Sequence, residues 1–162
     1  MTNPEFMVDG KYCPSHDEIQ RISKEIGYEI LGSGLVVVDL VAVTRGGLNP
    51  MGFISRMVHW SRTETIDLKS YVKNSDGTES STEMNVTKRP KLNSPTGAGA
   101  LFVDDVLDTG GTARYLRYTY PDANIAVVYS KMSPEESTEY VDFVGEYAED
   151  IWINFPWEMD KP

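Results

Sequence analysis

The feature of this chain that most restricts its fold is the stretch LFVDDVLDTGGTARYL at residues 101–116. An apolar run ends in the acids Asp104, Asp105 and Asp108, and the small residues 109–112 follow before a helical pattern begins. Apolar residues that stop at a turn of threonine and glycine are typical of a buried strand that leads into a helix. In open α/β sheets, ligands bind beyond the carboxyl ends of the strands. The stretch therefore predicts an α/β fold with a ligand site at this strand end.

The residues after the first two acids have the properties of a phosphate cradle. Backbone N–H groups at a helix N-terminus lack partners and favour an anion. Gly110 and Gly111 allow the backbone to wrap closely around a ligand, and Thr109 and Thr112 add hydroxyl donors. The acids can accept hydrogen bonds from sugar hydroxyls or hold Mg²⁺. Acids and cradle together predict a ligand that carries both a diol and a phosphate, such as a ribose phosphate.

Other interpretations of the same residues fit less well. DDVLD also matches the DDxxD pattern of prenyl-diphosphate enzymes, but those acids lie on a helix, whereas here the lead is β-like. A Walker phosphate loop needs a Gly-Lys-Ser/Thr ending, and a calcium loop needs acids at alternate positions. A plain acidic turn would not explain the glycines and threonines that follow directly.

The rest of the chain alternates strands with helices, which predicts a mainly parallel sheet in a single domain over residues 1–162. Ser15 and Glu18 form a capping-box pattern for a helix that Gly32 would stop. Asp39 interrupts the apolar run at 34–43, so the strand there covers the whole run or only 40–43. The other predicted elements are a helix from Asn49, strands at 65–73, 101–103, 125–129 and 140–144, and a helix at 111–118.

Composition excludes several classes of protein. The formal net charge of −10 disfavours non-specific nucleic-acid binding. The longest apolar run, residues 35–43, is too short to span a membrane, and the start of the chain does not resemble a signal peptide. The single cysteine, Cys13, cannot form an internal disulfide, and His16 and His59 lack metal-ligand spacing. A cytoplasmic protein without a nucleic-acid partner or an integral membrane segment is expected.

A second segment, VAVTRGGLNP at residues 41–50, repeats the order of strand, small residues and helix. Arg45 offers a fork of donors for phosphate, although alone the segment equally fits a glycine turn with a surface arginine. With the first stretch, and with YSKMSP at 129–134 and DIWINFPWEM at 150–159, it resembles the type I phosphoribosyltransferases, and most of all the bacterial xanthine-guanine group. The resemblance runs from residue 15 to residue 159.

This resemblance implies a central, mainly parallel sheet flanked by helices, with a small hood and a flexible loop. It implies transfer of phosphoribose from phosphoribosyl pyrophosphate (PRPP) to a 6-oxopurine (guanine, xanthine or hypoxanthine) in purine salvage, with Mg²⁺ as cofactor and a homo-oligomeric assembly. A non-catalytic PRPP or nucleotide sensor with the same fold is the alternative. A pyrimidine or adenine transferase is a third interpretation. Lys131 and Trp152 disfavour adenine, because its 6-amino group is a donor at the position where the Lys131 ammonium also donates.

The resemblance also assigns the site residues. Asp108 is the catalytic residue, as general base or electrostatic partner at the purine N7 proton, and Asp104 and Asp105 hold the metal. The ribose and the 5′-phosphate are bound by Asp104, Asp105, Asp108, Thr109, Gly110, Gly111 and Thr112. The pyrophosphate is bound by Thr44, Arg45, Gly46, Gly47 and Arg89, with a cis peptide expected at Arg45–Gly46. The purine is bound by Lys131, Trp152 and Ile153.

The polar segment Ser70–Ser94 predicts a lid that closes over PRPP. It is long for a loop inside a small domain, contains a hairpin turn at Asp76–Gly77, and carries Lys88, Arg89 and Lys91 near its end. A solvated surface loop is the simpler alternative. Closure would exclude water, which competes with the purine for the reactive ribose.

Overall fold

A computed structural model describes residues 4–69, 72–73, 79–80 and 84–158 of the chain. After a 3₁₀ turn at Pro4–Phe6, the helices are α1 (His16–Ser33), α2 (Leu48–Ile54), α3 (Gly111–Thr119) and α4 (Pro134–Ser137). The strands are β1 (Met7–Val8), β2 (Lys11–Tyr12), β3 (Asp39–Thr44), β4 (Arg62–Lys69), β5 (Val72–Lys73), β6 (Glu79–Ser80), β7 (Asn85–Lys88), β8 (Ala100–Leu107), β9 (Asn124–Ser130) and β10 (Phe143–Tyr147).

The main sheet has six strands in the order β10-β9-β8-β3-β4-β7. All neighbouring strands are parallel except β7, which runs antiparallel to β4 at one edge. The chain proceeds from β3 to one side of the sheet, through β4, and returns to build β8, β9 and β10 on the other side. The carboxyl ends of β3 and β8 therefore flank the topological switch point, where open α/β sheets bind ligands.

Alternating side chains of the central strands fill one core on each face of the sheet. Leu40 and Leu101 face α1, whereas Val41 and Phe102 face α3. Because helices cover both faces of the sheet, the central strands carry apolar residues at successive positions. They do not show the alternation of apolar and polar residues that is typical of a half-exposed strand. The two cores hold β3 and β8 rigidly in parallel, and this fixes the relative position of the loops that follow them.

Helix α1 follows the predicted pattern at its start and differs at its end. The Ser15 hydroxyl accepts a hydrogen bond from the Glu18 N–H at 3.1 Å, as a helix cap should. Ile19, Ile22, Ile26 and Ile30 are buried along one face. The helix continues past Gly32 and ends at Gly34, which has the left-handed φ of +75°. A glycine inside a helix costs only about 1 kcal/mol, and packing of the isoleucine face outweighs that cost.

Strand β8 is longer than the sequence predicted, and this places two acids within the sheet. Its pairing with β9 continues from Asp104 opposite Val127 to Leu107 opposite Ser130. The backbone ladder thus extends the strand beyond the last purely apolar residue, Val103. Strand β3 likewise begins at Asp39, because this buried carboxylate accepts from the Asn93 N–H at 2.6 Å and lies 3.3 Å from the Arg62 guanidinium.

The N-terminal hairpin of β1 and β2 and the C-terminal segment around residues 152–154 form a small hood beside the sheet. Strands β1 and β2 make an antiparallel pair, and Tyr12 of β2 forms a parallel bridge with Ile153. The Tyr12 N–H donates to the Trp152 carbonyl at 2.9 Å, and the Asn154 N–H donates to the Tyr12 carbonyl at 2.8 Å. The hood therefore ties the N-terminal hairpin to the segment that carries Trp152.

The predicted lid lies partly outside the described residues. Residues 70, 71, 74–78 and 81–83 are not described, and the predicted turn at Asp76–Gly77 lies outside the described residues. On either side of residues 74–78, β5 and β6 pair antiparallel, as the strands of a ribbon do. Within the segment, residues 85–88 form an edge strand of the main sheet, β7, rather than a loop. Across the described ranges, no helix is long and apolar enough to cross a membrane.

Candidate active site

The loop between β8 and α3 forms an open cradle of backbone N–H groups. Gly110 precedes the helix with a left-handed φ of +76°, a conformation that favours glycine. Within the described chain, α3 has no side-chain cap at its N-terminus and no acid in its first turn. By contrast, the N-termini of α1 and α4 are capped by Ser15 and Ser133 and begin with acids. The start of α3 thus keeps its N–H groups and positive dipole end available for an anion.

Asp104 and Asp105 lie at the floor of this cradle, in the last part of β8. A carboxylate oxygen of Asp104 accepts from the Asp105 N–H at 2.9 Å. Burial raises the pKa of Asp104 well above its usual value, and the neighbouring Asp105 charge adds to the rise. Burial also raises the pKa of Asp105 to about 6, with a further contribution from the nearby Glu158 carboxylate. Two desolvated carboxylates side by side repel each other and favour a cation.

The carboxylates of Asp104 and Asp105 are suitable ligands for Mg²⁺. Across the described residues, no group of three or more acidic, histidine or cysteine side chains could hold a metal by itself. Magnesium is commonly bound by one or two carboxylates together with substrate oxygens and water. Burial raises the pKa of both carboxylates, and a cation bound between them would favour their ionised forms. Asp104 and Asp105 would therefore suit a magnesium ion that arrives with a phosphorylated ligand.

The loop after β3 is packed directly against the loop after β8. A Cβ atom at Gly46 would overlap the Asp105 carboxylate, and one at Gly47 would overlap the Val103 carbonyl oxygen. Thr44 donates its hydroxyl to the Ile66 carbonyl at 3.1 Å, and Arg45 is exposed. The non-proline cis peptide is at Thr44–Arg45, one bond before the predicted position at Arg45–Gly46. Of the four predicted residues 44–47, Arg45 and Gly46 line the cleft beside Asp105 and form its wall, whereas Thr44 is bonded to the neighbouring strand and Gly47 packs on β8.

Asp108, Lys131 and Trp152 come together at the mouth of the cradle. The Lys131 ammonium lies 3.2 Å from an Asp108 carboxylate oxygen and 5.1 Å from the centre of the Trp152 ring. Lys131 directly follows β9, and its N–H donates to the Leu107 carbonyl at 2.9 Å. Because β8 and β9 are adjacent and parallel, Asp108 and Lys131 both lie at the carboxyl ends of the strands. Asp150 and Ile151 complete the lining of this cleft.

The two other residues predicted for the purine site differ in exposure. The Trp152 side chain is 61% exposed, so its ring face is available for stacking. Ile153 is buried, and it bridges to Tyr12 in the hood. The Trp152 carbonyl already accepts a hydrogen bond from Tyr12. The hood thus fixes the backbone of both residues and leaves the tryptophan ring facing the cleft with Lys131.

Arg89 lies apart from the other residues predicted for pyrophosphate. Its guanidinium donates to the Tyr115 hydroxyl at 2.7 Å, which places it against α3. The described residues that surround Arg45 in its cleft include Asn49, Trp157 and Glu158, and Arg89 is not among them. A pyrophosphate role for Arg89 would require its side chain to leave Tyr115.

Trp157 and Glu158 are site residues that the sequence analysis did not identify. Trp157 stacks on Phe155 at 4.8 Å and lines the cleft with Arg45 and Asp105. Glu158 lines the same cleft and acts on the pKa of Asp105. The sequence feature that could have indicated them is the Pro-Trp-Glu run at 156–158, which lies in the aromatic segment that was assigned to the purine site. Only the fold shows that this run reaches the carboxylate pair.

A doubly wound sheet with two loops at its switch point is the architecture of α/β proteins that bind phosphorylated ligands. The phosphoribosyl transferase domain family matches residues 15–161. The xanthine-guanine phosphoribosyltransferase of Idiomarina loihiensis is 35% identical over 158 residues, covering 98% of this chain and 89% of that protein. The enzyme of the same name from Chromohalobacter salexigens is 39% identical over 149 residues, covering 92% and 85%. The chain therefore belongs to the phosphoribosyltransferase family.

Solved structures agree with this fold. The Helicobacter pylori xanthine-guanine-hypoxanthine phosphoribosyltransferase superposes with a TM-score of 0.66 at 22% identity, covering 91% of this chain and 92% of that one. A hypothetical protein from Neisseria gonorrhoeae with bound ppGpp superposes with a TM-score of 0.69 at 22% identity, covering 93% and 92%. The predicted fold class, a mainly parallel sheet flanked by helices, is confirmed.

Proposed function

We propose that this protein is a purine phosphoribosyltransferase that joins a 6-oxopurine to the phosphoribose of PRPP and releases pyrophosphate. The observation that carries the proposal is the cluster of Asp108, Lys131 and Trp152 beside the cradle of residues 109–112. The cluster offers one partner to each feature of a 6-oxopurine: an acceptor for its N7 proton, a donor for its 6-oxo group and a ring face for stacking. Relatives named xanthine-guanine phosphoribosyltransferase support the same class of substrate.

In this proposal, the chain's own residues organise the transfer. The backbone of residues 109–112 binds the 5′-phosphate, and Asp104 and Asp105 hold the ribose hydroxyls and Mg²⁺. The metal, when bound, would neutralise charge on the leaving pyrophosphate, and Arg45 contributes at the wall beside it. A purine ring nitrogen forms the new bond to the ribose C1′ as the bond to pyrophosphate breaks, and Asp108 accepts or stabilises the proton that the purine loses.

A role in purine salvage follows from the reaction itself. Homo-oligomeric assembly and a cytoplasmic location are expected from the resemblance to the xanthine-guanine group. A single domain over residues 1–162 is consistent with the six-stranded sheet to which the described elements contribute. None of the observations on the described residues favours the alternative of a non-catalytic sensor.

One assay tests the function directly. The protein is offered PRPP, Mg²⁺ and, separately, guanine, xanthine, hypoxanthine, adenine, uracil and orotate, and pyrophosphate release is measured. We expect turnover with the 6-oxopurines and little with the other bases. PRPP binding without turnover on any base would contradict the proposal and favour the sensor.

Replacing Lys131 by methionine tests the purine site. A hydrogen bond to a charged group contributes about 1.5 to 3 kcal/mol, so we expect kcat/KM for guanine to fall on the order of 10- to 100-fold. The KM for PRPP should change little, and adenine should be penalised less than guanine or gain. The matched control is Lys24→Met, because Lys24 is an exposed lysine on α1. An equal loss of PRPP affinity in Lys131→Met would place the lysine elsewhere in the site.

A further inference from the structure

Arg114 occupies a position that ordinary helix chemistry disfavours. It is the fourth residue of α3, in the first turn, where the positive end of the helix dipole repels a cation. The first turns of α1 and α4 carry acids instead. Arg114 is also exposed, so burial of its side chain does not account for it. Its contacts show what holds it there.

The Arg114 side chain turns back onto the loop that precedes its own helix. One guanidinium nitrogen donates to the Thr109 carbonyl at 3.0 Å, and another donates to the Tyr140 hydroxyl at 3.3 Å. The guanidinium carbon lies 5.5 Å from the centre of the Tyr140 ring, within the range of a cation–π contact. Tyr140 also packs on Gly110, since a Cβ atom there would lie 3.1 Å from its ring. Thr109, Gly110, Arg114 and Tyr140 thus form a closed cluster behind the cradle.

This cluster controls the orientation of one peptide plane. The peptide between Thr109 and Gly110 is planar and trans, so its carbonyl and its N–H point in opposite directions. Arg114 holds the carbonyl on its own side and thereby turns the Gly110 N–H to the other side. Thr109 and Gly110 line the cradle cavity, whereas Arg114 is not among the described residues that line it. The arginine therefore acts from behind the loop rather than as a direct ligand.

We propose that Arg114 is a positioning residue that holds the 109–112 loop in the conformation that binds the 5′-phosphate of the substrate. The inference rests on the proposed function of that loop. It explains why a cation is placed in the first turn of α3: the hydrogen bond to Thr109 and the aromatic contact offset its repulsion by the dipole. A phosphate bound at the start of α3 would further offset that repulsion.

The test compares two arginines of the same helix. Arg114→Met removes the contact with the loop. Arg117→Met removes hydrogen bonds to the carbonyls of Tyr140 and Ala123 and an ion pair with Asp142. Of these three partners only Tyr140 touches the loop, and it does so through its ring rather than through the carbonyl that Arg117 binds. Steady-state assays give KM for PRPP and for guanine, and calorimetry with ribose 5-phosphate measures binding without catalysis. Thermal unfolding measures stability in each variant.

We expect Arg114→Met to raise both the KM for PRPP and the Kd for ribose 5-phosphate about tenfold, with the KM for guanine within about twofold. Arg117→Met should lower the unfolding midpoint and leave both phosphate affinities within about twofold. Arg114→Lys should stay at least about fivefold impaired, because an ammonium lacks the planar fork that spans carbonyl and ring. Full recovery with lysine, an unchanged Arg114→Met, or equal loss in Arg117→Met would overturn the inference. Absence of wild-type turnover on every purine would instead overturn the proposed function, and the ribose 5-phosphate measurement would still judge Arg114.

Discussion

The loops that follow β3 and β8 share one sequence plan but use their glycine pairs for opposite purposes. At Gly46 and Gly47, a side chain would collide with the neighbouring loop, with the Asp105 carboxylate in one case and the Val103 carbonyl in the other. At Gly111, a Cβ atom would find its nearest atoms only at 3.8 Å. The first pair brings two loops into contact, whereas Gly111 of the second pair leaves a space at the start of α3.

This difference explains how the proposed subsites are joined. Contact between Gly46 and Asp105 places the Arg45 wall directly beside the carboxylate pair. The open space at Gly111 leaves room for a phosphate group in the cradle. Identical dipeptides therefore support a packing role in one loop and a binding role in the other, and substitutions in the two loops should give different phenotypes.

The largest effect is expected for Asp108→Asn in the β8–α3 loop. General acid–base help is typically worth about 10²- to 10⁴-fold in rate, so turnover should fall by that factor while PRPP binding and the unfolding midpoint stay close to wild type. Asp122→Asn is the control, because Asp122 is exposed and lies in the turn after α3. Near-normal turnover of Asp108→Asn with guanine, hypoxanthine and xanthine would show that its assigned role is wrong.

Gly47→Ala tests the crowded loop. The added methyl would overlap the Val103 carbonyl oxygen and lie 2.8 Å from the Val43 carbonyl oxygen. Backbone atoms cannot move away easily, so we expect the free energy of unfolding to fall by about 1 to 3 kcal/mol or more. Gly52→Ala in α2 is the control: nothing lies within 4 Å of its Cβ position, and it should be neutral or slightly stabilising. Equal stability of the two variants in urea denaturation would contradict the packing argument.

Asp105→Asn tests the point where the two loops meet. Burial raises the pKa of Asp105 to about 6 in the folded protein, from 3.8. The folded state thus holds this proton up to a higher pH than the unfolded state, and the ionised carboxylate destabilises the fold above pH 6. We expect the asparagine variant to be more stable than wild type at pH 7 to 8, by on the order of 1 to 3 kcal/mol, and to lose activity.

The pH dependence provides the control for Asp105→Asn. The stability difference should shrink as the pH falls through 6 and vanish below about 4, where the wild-type carboxyl is protonated in both states. A difference that stays constant from pH 8 to pH 4 would show that packing, rather than charge, is responsible.

The smallest effect is expected for Gly111→Ala in the open loop. The methyl has space, and alanine restricts the unfolded chain, so the free energy of unfolding should rise by about 0.4 to 1 kcal/mol. Because the methyl would face the cradle, affinity for ribose 5-phosphate should fall. Calorimetry and thermal unfolding on the same sample measure both. Loss of stability would show that the two glycine pairs are not as different as the structure indicates.

The sequence was most informative where the decisive residues are contiguous. The β8–α3 and β3–α2 loops could both be located from their own residues, because strand ends, glycine turns and helix starts are local properties of the chain. The predicted strand boundaries were wrong where contacts with neighbouring strands or side chains extend a strand. The ladder with β9 carries β8 through Asp104 and Asp105 to Leu107, and the partners of Asp39 admit a carboxylate to a buried strand.

The α/β class, the two loops and the chemical types of their side chains could all be inferred from the order of residues along the chain. Which of these residues meet depends on the tertiary structure. The order of β3, β8 and β9 in the sheet brings Gly46 onto Asp105 and Lys131 onto Asp108, the hood places Trp152 beside that lysine, and the packing of α3 sets Arg114 on Tyr140. Strand order depends on how side chains pack into the two cores on either face of the sheet. The local periodicity of the sequence contains no information about that order.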